Sequence, residues 1–235
     1  MESNIEQQQV KSKERVKDFG EVFTNPREVK AMLDLVKEES YRVDSRFLEP
    51  ACGNGNFLVE ILDRKLKTVS EVATNKPEWI NLALVGVGAI YGIDIQKDNV
   101  EESIERLLTI VDNKCDQLYE SLSENEKNAF EFVMKENIIH GNGLTGILCK
   151  ANGDESKREL MFSEWGFDNL LETGEVIRKD FSMNEMIAHN KKAEAAEKIS
   201  SQAGSLFAMA PQEVVVEELK PVSVKIYDNF YKEET

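Results

Sequence analysis

The sequence predicts an α/β chain built on a parallel, doubly wound sheet. Three observations carry this. Short apolar runs that read as strands, 45–51, 89–95 and 137–142, alternate with longer segments of helical periodicity. A Gly-x-Gly turn, Gly53-Asn54-Gly55, separates the first run from the helix that follows it. The second run ends in a carboxylate, Asp94. With 235 residues and 41% hydrophobic content, the chain can bury one ordinary core.

Residues 1–18 form a polar lead-in, helical or frayed. Over 26–39, Val29, Met32, Leu33 and Val36 recur at helical spacing, with Asn25 placed to cap and Pro26 suited to the first turn. The stretch SRFLEPA (45–51) reads as a short buried strand that runs into the glycine turn. Phe57, Leu58, Ile61, Leu62 and Leu66 then share one side of a helix over 56–69. A helix over 77–88 ends at glycine, and AIYGIDI (89–95) is the second strand. Helices over 98–115 and 122–136 precede a third strand, NIIHGN (137–142). The pattern then changes. Residues 159–167 and 174–183 read as a hairpin with its turn over 168–173. An exposed helix is expected over 184–204, and 213–219 and 222–230 read as two strands, or as a strand and a helix start, around Pro221.

Charge and composition narrow the function classes. The formal net charge is −15, from 29 Lys and Arg against 44 Asp and Glu. That balance argues against tight, autonomous grip on nucleic-acid phosphates. The longest apolar run, 80–93, is too short and too glycine-rich to span a membrane, and the N-terminus has no secretory pattern. Three scattered cysteines, Cys52, Cys115 and Cys149, give neither a zinc spacing nor a disulfide framework. A cytoplasmic location, no metal and no membrane are therefore expected.

The glycine turn is the first candidate site. Gly53 and Gly55 let a ligand approach the backbone, and a carboxylate at the end of the next strand, Asp94, can accept from ribose hydroxyls. The third glycine of a dinucleotide fingerprint is missing, because Leu58 stands there. Glu49 adds a negative charge beside the turn, which suits an ammonium or sulfonium better than a pyrophosphate. S-adenosylmethionine meets that description.

Four stretches then occur in a telling order: FGEVFTNP (19–26), FLEPACGNGNFLVEIL (47–62), IYGIDIQKDNV (90–100) and NIIHGNGLT (137–145). Together they resemble N6-adenine DNA methyltransferases of restriction–modification type, over roughly residues 19–183. The resemblance implies a Rossmann-like S-adenosylmethionine-dependent methyltransferase fold: a partial sheet, a β-hairpin and a divergent C-terminal segment. It implies four regions: the lead-in 1–18, a cofactor-binding core 19–158, a hairpin insertion 159–183, and a divergent helix with C-terminal strands over 184–235. It also implies roles. Phe23 and Thr24 pack against the cofactor and hold its methionine end. Glu49, Pro50, Ala51, Gly53 and Gly55 form the cofactor loop. Asp94 takes the ribose, Ile95 lies beside the adenine ring, and Asn142 contacts the cofactor adenine.

One part of the family pattern is missing. Its catalytic Asp/Asn-Pro-Pro-Tyr orients the exocyclic amine of a flipped adenine and stacks on the base. The five prolines here, at 26, 50, 77, 211 and 221, are nowhere adjacent, so no catalytic residue is assigned. The expected function is the cofactor-binding part of a split enzyme. Its partner would be a second methyltransferase subunit, or the chain would act as a homodimer, with DNA bound only if a partner supplies the recognition domain. The alternative is a catalytically inactive relative that senses the cofactor, or an acidic protein-binding mimic of DNA. A half-built sheet also leaves an open edge, for the strands near 213–227 or a partner to cap.

Overall fold

The computed structural model describes residues 10–167, 175–185 and 222–225. Helix α1 (Lys13–Phe19), capped by Ser12, falls at the end of the polar lead-in and buries no residue. Asn25 caps α2 (Pro26–Asp34) as expected, its side chain accepting from the Arg27 N–H at 2.9 Å. The helix does not run on to residue 39. It ends at Leu35, and α3 (Lys37–Tyr41) restarts after Val36. Val29 and Leu33 are buried while Met32, Leu35 and Val36 face outwards, so only one pair has a surface to pack on.

Two crossovers follow. Strand β1 (Phe47–Glu49) leads through α4 (Asn56–Val72) and α5 (Lys76–Gly88) to β2 (Ile90–Asp94). Then α6 (Lys97–Leu118) and α7 (Glu124–Asn137) lead to β3 (Ile138–Asn142). The three strands are parallel, with Leu48 opposite Tyr91 and Ile93 opposite Ile139. β1 is shorter than expected and only half-buried, because it is the edge of the sheet.

The sheet is mixed and not doubly wound. After β3 the chain turns back into β4 (Ile147–Cys149) and β5 (Glu155–Glu159), both antiparallel, to give the order β1-β2-β3-β4-β5. Strand order thus advances in one direction. Right-handed crossovers advancing one way put every helix on the same face. The two faces separate by the period of two along each strand. Phe47, Ile90 and Ile138 meet the helices, with Leu58, Leu62, Leu66, Leu84, Leu107 and Phe130 in that core. Each such side chain contributes about 1.5–3 kcal/mol on burial.

Leu48, Tyr91, Ile93 and Ile139 face the other way, into a second cluster with Leu160, Phe162 and Met183. That face is covered by the expected hairpin, β6 (Met161–Gly166) paired antiparallel with β7 (Glu175–Ser182). Tyr91 meets Phe162 edge-on at 5.4 Å between centroids, and its hydroxyl donates to the Ser163 carbonyl at 3.3 Å. The Phe162 and Phe181 end of the hairpin therefore stands where a doubly wound fold would place helices, while Trp165, Phe167 and Val176 reach round to the helix-side core. Strand β8 (Val222–Lys225) pairs with β7, with Val176 opposite Val224. It does not cap β1, whose outer side carries no strand among the described residues. The expected turn over 168–173, the strand over 213–219, and all but the first two residues of the helix over 184–204 lie outside the described residues.

The entry to β1 is fixed from inside α4. Lys65 is fully buried, and its Nζ donates to the carbonyls of Arg42, Val43 and Ser45 at 2.9, 2.8 and 2.6 Å. Burial pushes this ammonium down to about 8. Next to it, buried Arg64 pairs with Asp34 at 2.8 Å and Glu60 at 3.0 Å.

Candidate functional site

In open α/β sheets ligands bind beyond the carboxyl ends of the parallel strands. Here the turn after β1 and the ends of β2 and β3 meet at that place. The turn is pinned to β2 because the Cys52 N–H donates to the Ile93 carbonyl at 2.8 Å. Gly53 and Gly55 both adopt left-handed backbone, with φ of 54° and 84°. Gly55 is also the N-terminal cap position of α4, which has no side-chain cap.

Asp94 organises this turn. Its Oδ2 accepts from the Gly53 N–H at 2.9 Å. Its Oδ1 accepts from the Gln96 N–H at 2.8 Å and from Asn99 Nδ2 at 3.1 Å. A carboxylate offers about four acceptor sites, so about one is left for a ligand hydroxyl. The two sequence-predicted parts, glycine turn and acid, are thus in direct contact across 41 residues.

The glycines also serve the chain's own packing. A Cβ on Gly53 would lie 3.1 Å from the Phe23 ring, and one on Gly55 would lie 2.8 Å from Ser103 Oγ. Ser103 Oγ in turn donates to the Gly53 carbonyl at 3.1 Å. Phe23 is buried against the turn, and the Thr24 carbonyl accepts from Asn56 Nδ2 at 2.9 Å. Phe23 and Thr24 thus lie beside the glycine turn, in contact with the chain itself.

Glu49 is half-buried and has no cation beside it among the ion pairs of the described residues; burial pushes its carboxyl up. Pro50 and Ala51 are exposed on the turn, and Ile95 keeps 36% of its surface open beside Asp94. Asn142 is committed at both ends. Its Oδ1 accepts from the Leu144 N–H at 2.9 Å and its Nδ2 donates to Glu155 at 2.7 Å. That side chain closes the β3–β4 turn. The Cys52 thiol is pushed up by burial and by the nearby Asp94 and Glu49, so it stays protonated and inert. Among the described residues no cluster of His, Cys, Asp or Glu can hold a metal.

Four residues of the site were not singled out from sequence: Glu21, Asn99, Ser103 and Gly143. Asn99 and Asn54 each bury an amide oxygen with no hydrogen-bond donor. Gly143 touches the loop directly, since a Cβ there would sit 2.3 Å from the Pro50 carbonyl oxygen. Glu21, Asn99 and Gly143 lie within the motif stretches; only their neighbours had chemistry obvious enough to point to them. Gly143→Ala is expected to force the ends of β1 and β3 apart and to cost about 2–3 kcal/mol in urea unfolding. Gly166→Ala, where φ is likewise not positive and a Cβ would meet nothing nearer than 3.5 Å, is the control for glycine loss alone.

Among the described residues, no helix is long and apolar enough to cross a membrane. A family model described as MmeI, DNA-methyltransferase domain, matches residues 24–159, more than half of the chain. The match takes in the glycine turn, Asp94 and Asn142, and stops before the hairpin. No curated protein and no solved structure matches the chain.

Proposed function

Since the chain belongs to the MmeI DNA-methyltransferase domain family, a family related to restriction–modification methyltransferases, we propose that it is the S-adenosylmethionine-binding part of a split adenine-N6 DNA methyltransferase. The observation that carries this reading is the Gly53–Asp94 contact, which sets a tight backbone turn against a carboxylate with an acceptor site to spare. β1 to β3 with their helices are then the first half of a Rossmann-like methyltransferase sheet, and 19–158 its cofactor-binding region.

The residues present fit such a cofactor. Glu49 offers the ammonium or sulfonium a carboxylate with no cation beside it among the ion pairs of the described residues, held by the Ala51 backbone N–H. The uncapped N-terminus of α4 offers backbone N–H groups and its positive dipole end to a carboxylate. Asp94 is left to accept from a ribose hydroxyl, and the orphaned oxygens of Asn54 and Asn99 can accept further donors. Ile95 supplies an apolar surface for a purine ring. When bound, the sulfonium supplies an electrophilic methyl group. This chain's own residues bind and orient the donor.

The amine acceptor has to be oriented from elsewhere, because no Pro-Pro-Tyr occurs in residues 1–235. The outer side of β1, without a strand among the described residues, is where a second polypeptide would extend the sheet. Titration calorimetry of the purified chain is expected to give micromolar binding of S-adenosylmethionine, about −8 kcal/mol, with competition by the demethylated product. Methylation of DNA adenine is expected only after mixing with a polypeptide that carries Asp/Asn-Pro-Pro-Tyr. Absence of heat and of competition would end the cofactor reading. Binding without methylation in any mixture would favour the inactive, acidic relative that the −15 charge suggests.

A further inference from the structure

Residues 11–24 cross the cofactor turn with almost no apolar anchor at their outer end. α1 is seven residues long, buries none of them, and leaves Phe19 exposed. A helix this short does not hold itself in place. What holds it is charge. Lys11 Nζ reaches Asp98 at 3.0 Å and Glu102 at 2.7 Å, both on the first turns of α6. Arg15 reaches Asp98 at 2.6 Å and Glu21 at 2.6 Å.

Behind these pairs a buried relay runs into the site. The Glu21 side chain is 8% exposed. Its Oε1 accepts from Arg15 at 2.8 Å and from Asn99 Nδ2 at 2.6 Å. Asn99 Nδ2 also donates to Asp94, which holds the Gly53 N–H. On the other side, Lys11 Nζ lies 6.0 Å from the centroid of the Phe23 ring, and that ring lies against Gly53. Both routes join the outer ion pairs to the turn.

We propose that residues 11–24 are an ionic strap over the cofactor turn, and that its release with rising ionic strength gates entry and exit of S-adenosylmethionine. The gating part rests on the cofactor reading above. Phe23 and Thr24 form the inner, packed end and act as the hinge. The outer end is the partly exposed pairs of Lys11 and Arg15 with Asp98 and Glu102, each weak and each screened by salt, while the more buried Arg15–Glu21 pair is screened less. Arg15 and Lys11 hold the Asp98 carboxyl down to about 2, so these pairs persist across neutral pH and salt is the lever.

The test compares the wild-type chain with the double variant Lys11→Ala/Arg15→Ala. In the wild type, the dissociation rate of S-adenosylmethionine is expected to rise about tenfold between about 50 and about 500 mM KCl. In the variant it should already be fast at low salt and nearly independent of salt. Equal dissociation rates and equal salt slopes in the two proteins overturn the gate. Amide hydrogen exchange gives a readout that needs no cofactor. The variant should lose protection at Val16 and Gly20 of the strap and at Gly53, with α4 to α7 unchanged. Unchanged protection overturns the strap even if the chain binds no S-adenosylmethionine, an outcome that would separately end the cofactor reading. Arg15→Lys, which keeps a cation facing both Asp98 and Glu21, should retain most of the protection that Arg15→Ala removes.

Discussion

Asp94→Ala is expected to lower affinity for S-adenosylmethionine at least about 100-fold and to cost about 3–5 kcal/mol of stability. The substitution removes an acceptor from three donors at once: the Gly53 N–H, the Gln96 N–H and Asn99 Nδ2. Hydrogen bonds to an ionised group are each worth about 1.5–3 kcal/mol, and bonds sharing one carboxylate do not add fully. The buried donors left behind account for much of the cost. Asp94→Asn separates shape from charge. The amide keeps the size and one accepting oxygen, but it turns an NH2 group towards a backbone N–H. It should recover part of the stability and little of the binding. Urea unfolding and calorimetry, run where circular dichroism shows each variant folded, read the two effects apart. An Asp94→Ala protein that unfolds like the wild type and binds equally well would falsify the role given to this carboxylate.

The second large effect is expected at Lys65. Lys65→Met preserves the apolar stem and removes the ammonium, which leaves the carbonyls of Arg42, Val43 and Ser45 without their donor. A loss of about 3–5 kcal/mol is expected, because truncating one side of a buried polar network costs more than the network contributes net. The pH dependence has a definite sign. Lys65 in the folded chain lies near 8, below its ordinary 10.5. Between those values the unfolded chain binds more protons, so the Lys65 contribution makes stability rise with pH across that window. The difference between wild-type and Lys65→Met unfolding free energies should therefore grow from pH 8 towards 10. A difference that is flat or shrinks overturns the downward shift of Lys65. A cost below about 1 kcal/mol would show that water replaces the three bonds.

The parts of this fold with strong local chemistry were legible in the sequence. Gly53, Gly55 and Asp94 stood out because few residue types serve a left-handed turn or a strand-end acceptor, and the structure joins them. The Asn25 cap and Pro26 at the first turn of α2 are local, and so are the two neighbouring runs that pair as the β6–β7 hairpin. The failures share a physical origin in contacts that no short window contains. β5 reads Glu-Ser-Lys-Arg-Glu and is almost wholly exposed, so no alternation marks it as a strand. The direction of winding depends on which edge of β1 the chain uses next. Arg64 and Lys65 are charged residues whose burial no short window foretells; the chain from Lys30 to Ser45 folds over them and supplies their partners. Helix 26–39 broke because only Val29 and Leu33 find a core.

The parallel pairing also sets a timetable. Phe47 meets Ile90, and Gly92 meets Ile138, each across two intervening helices. Closing loops of about 40 residues costs entropy before any strand contact returns it, so such sheets register late. The Gly53 N–H finds its acceptor only when Asp94, made 41 residues later, is drawn alongside. The Gly53–Gly55 turn is thus a late product of folding, unfinished in any nascent chain that has not yet released β2 from the ribosome. A small molecule that spans the turn and Asp94 binds only the finished chain, and its concentration in the cell then enters directly into how much of the protein survives to function.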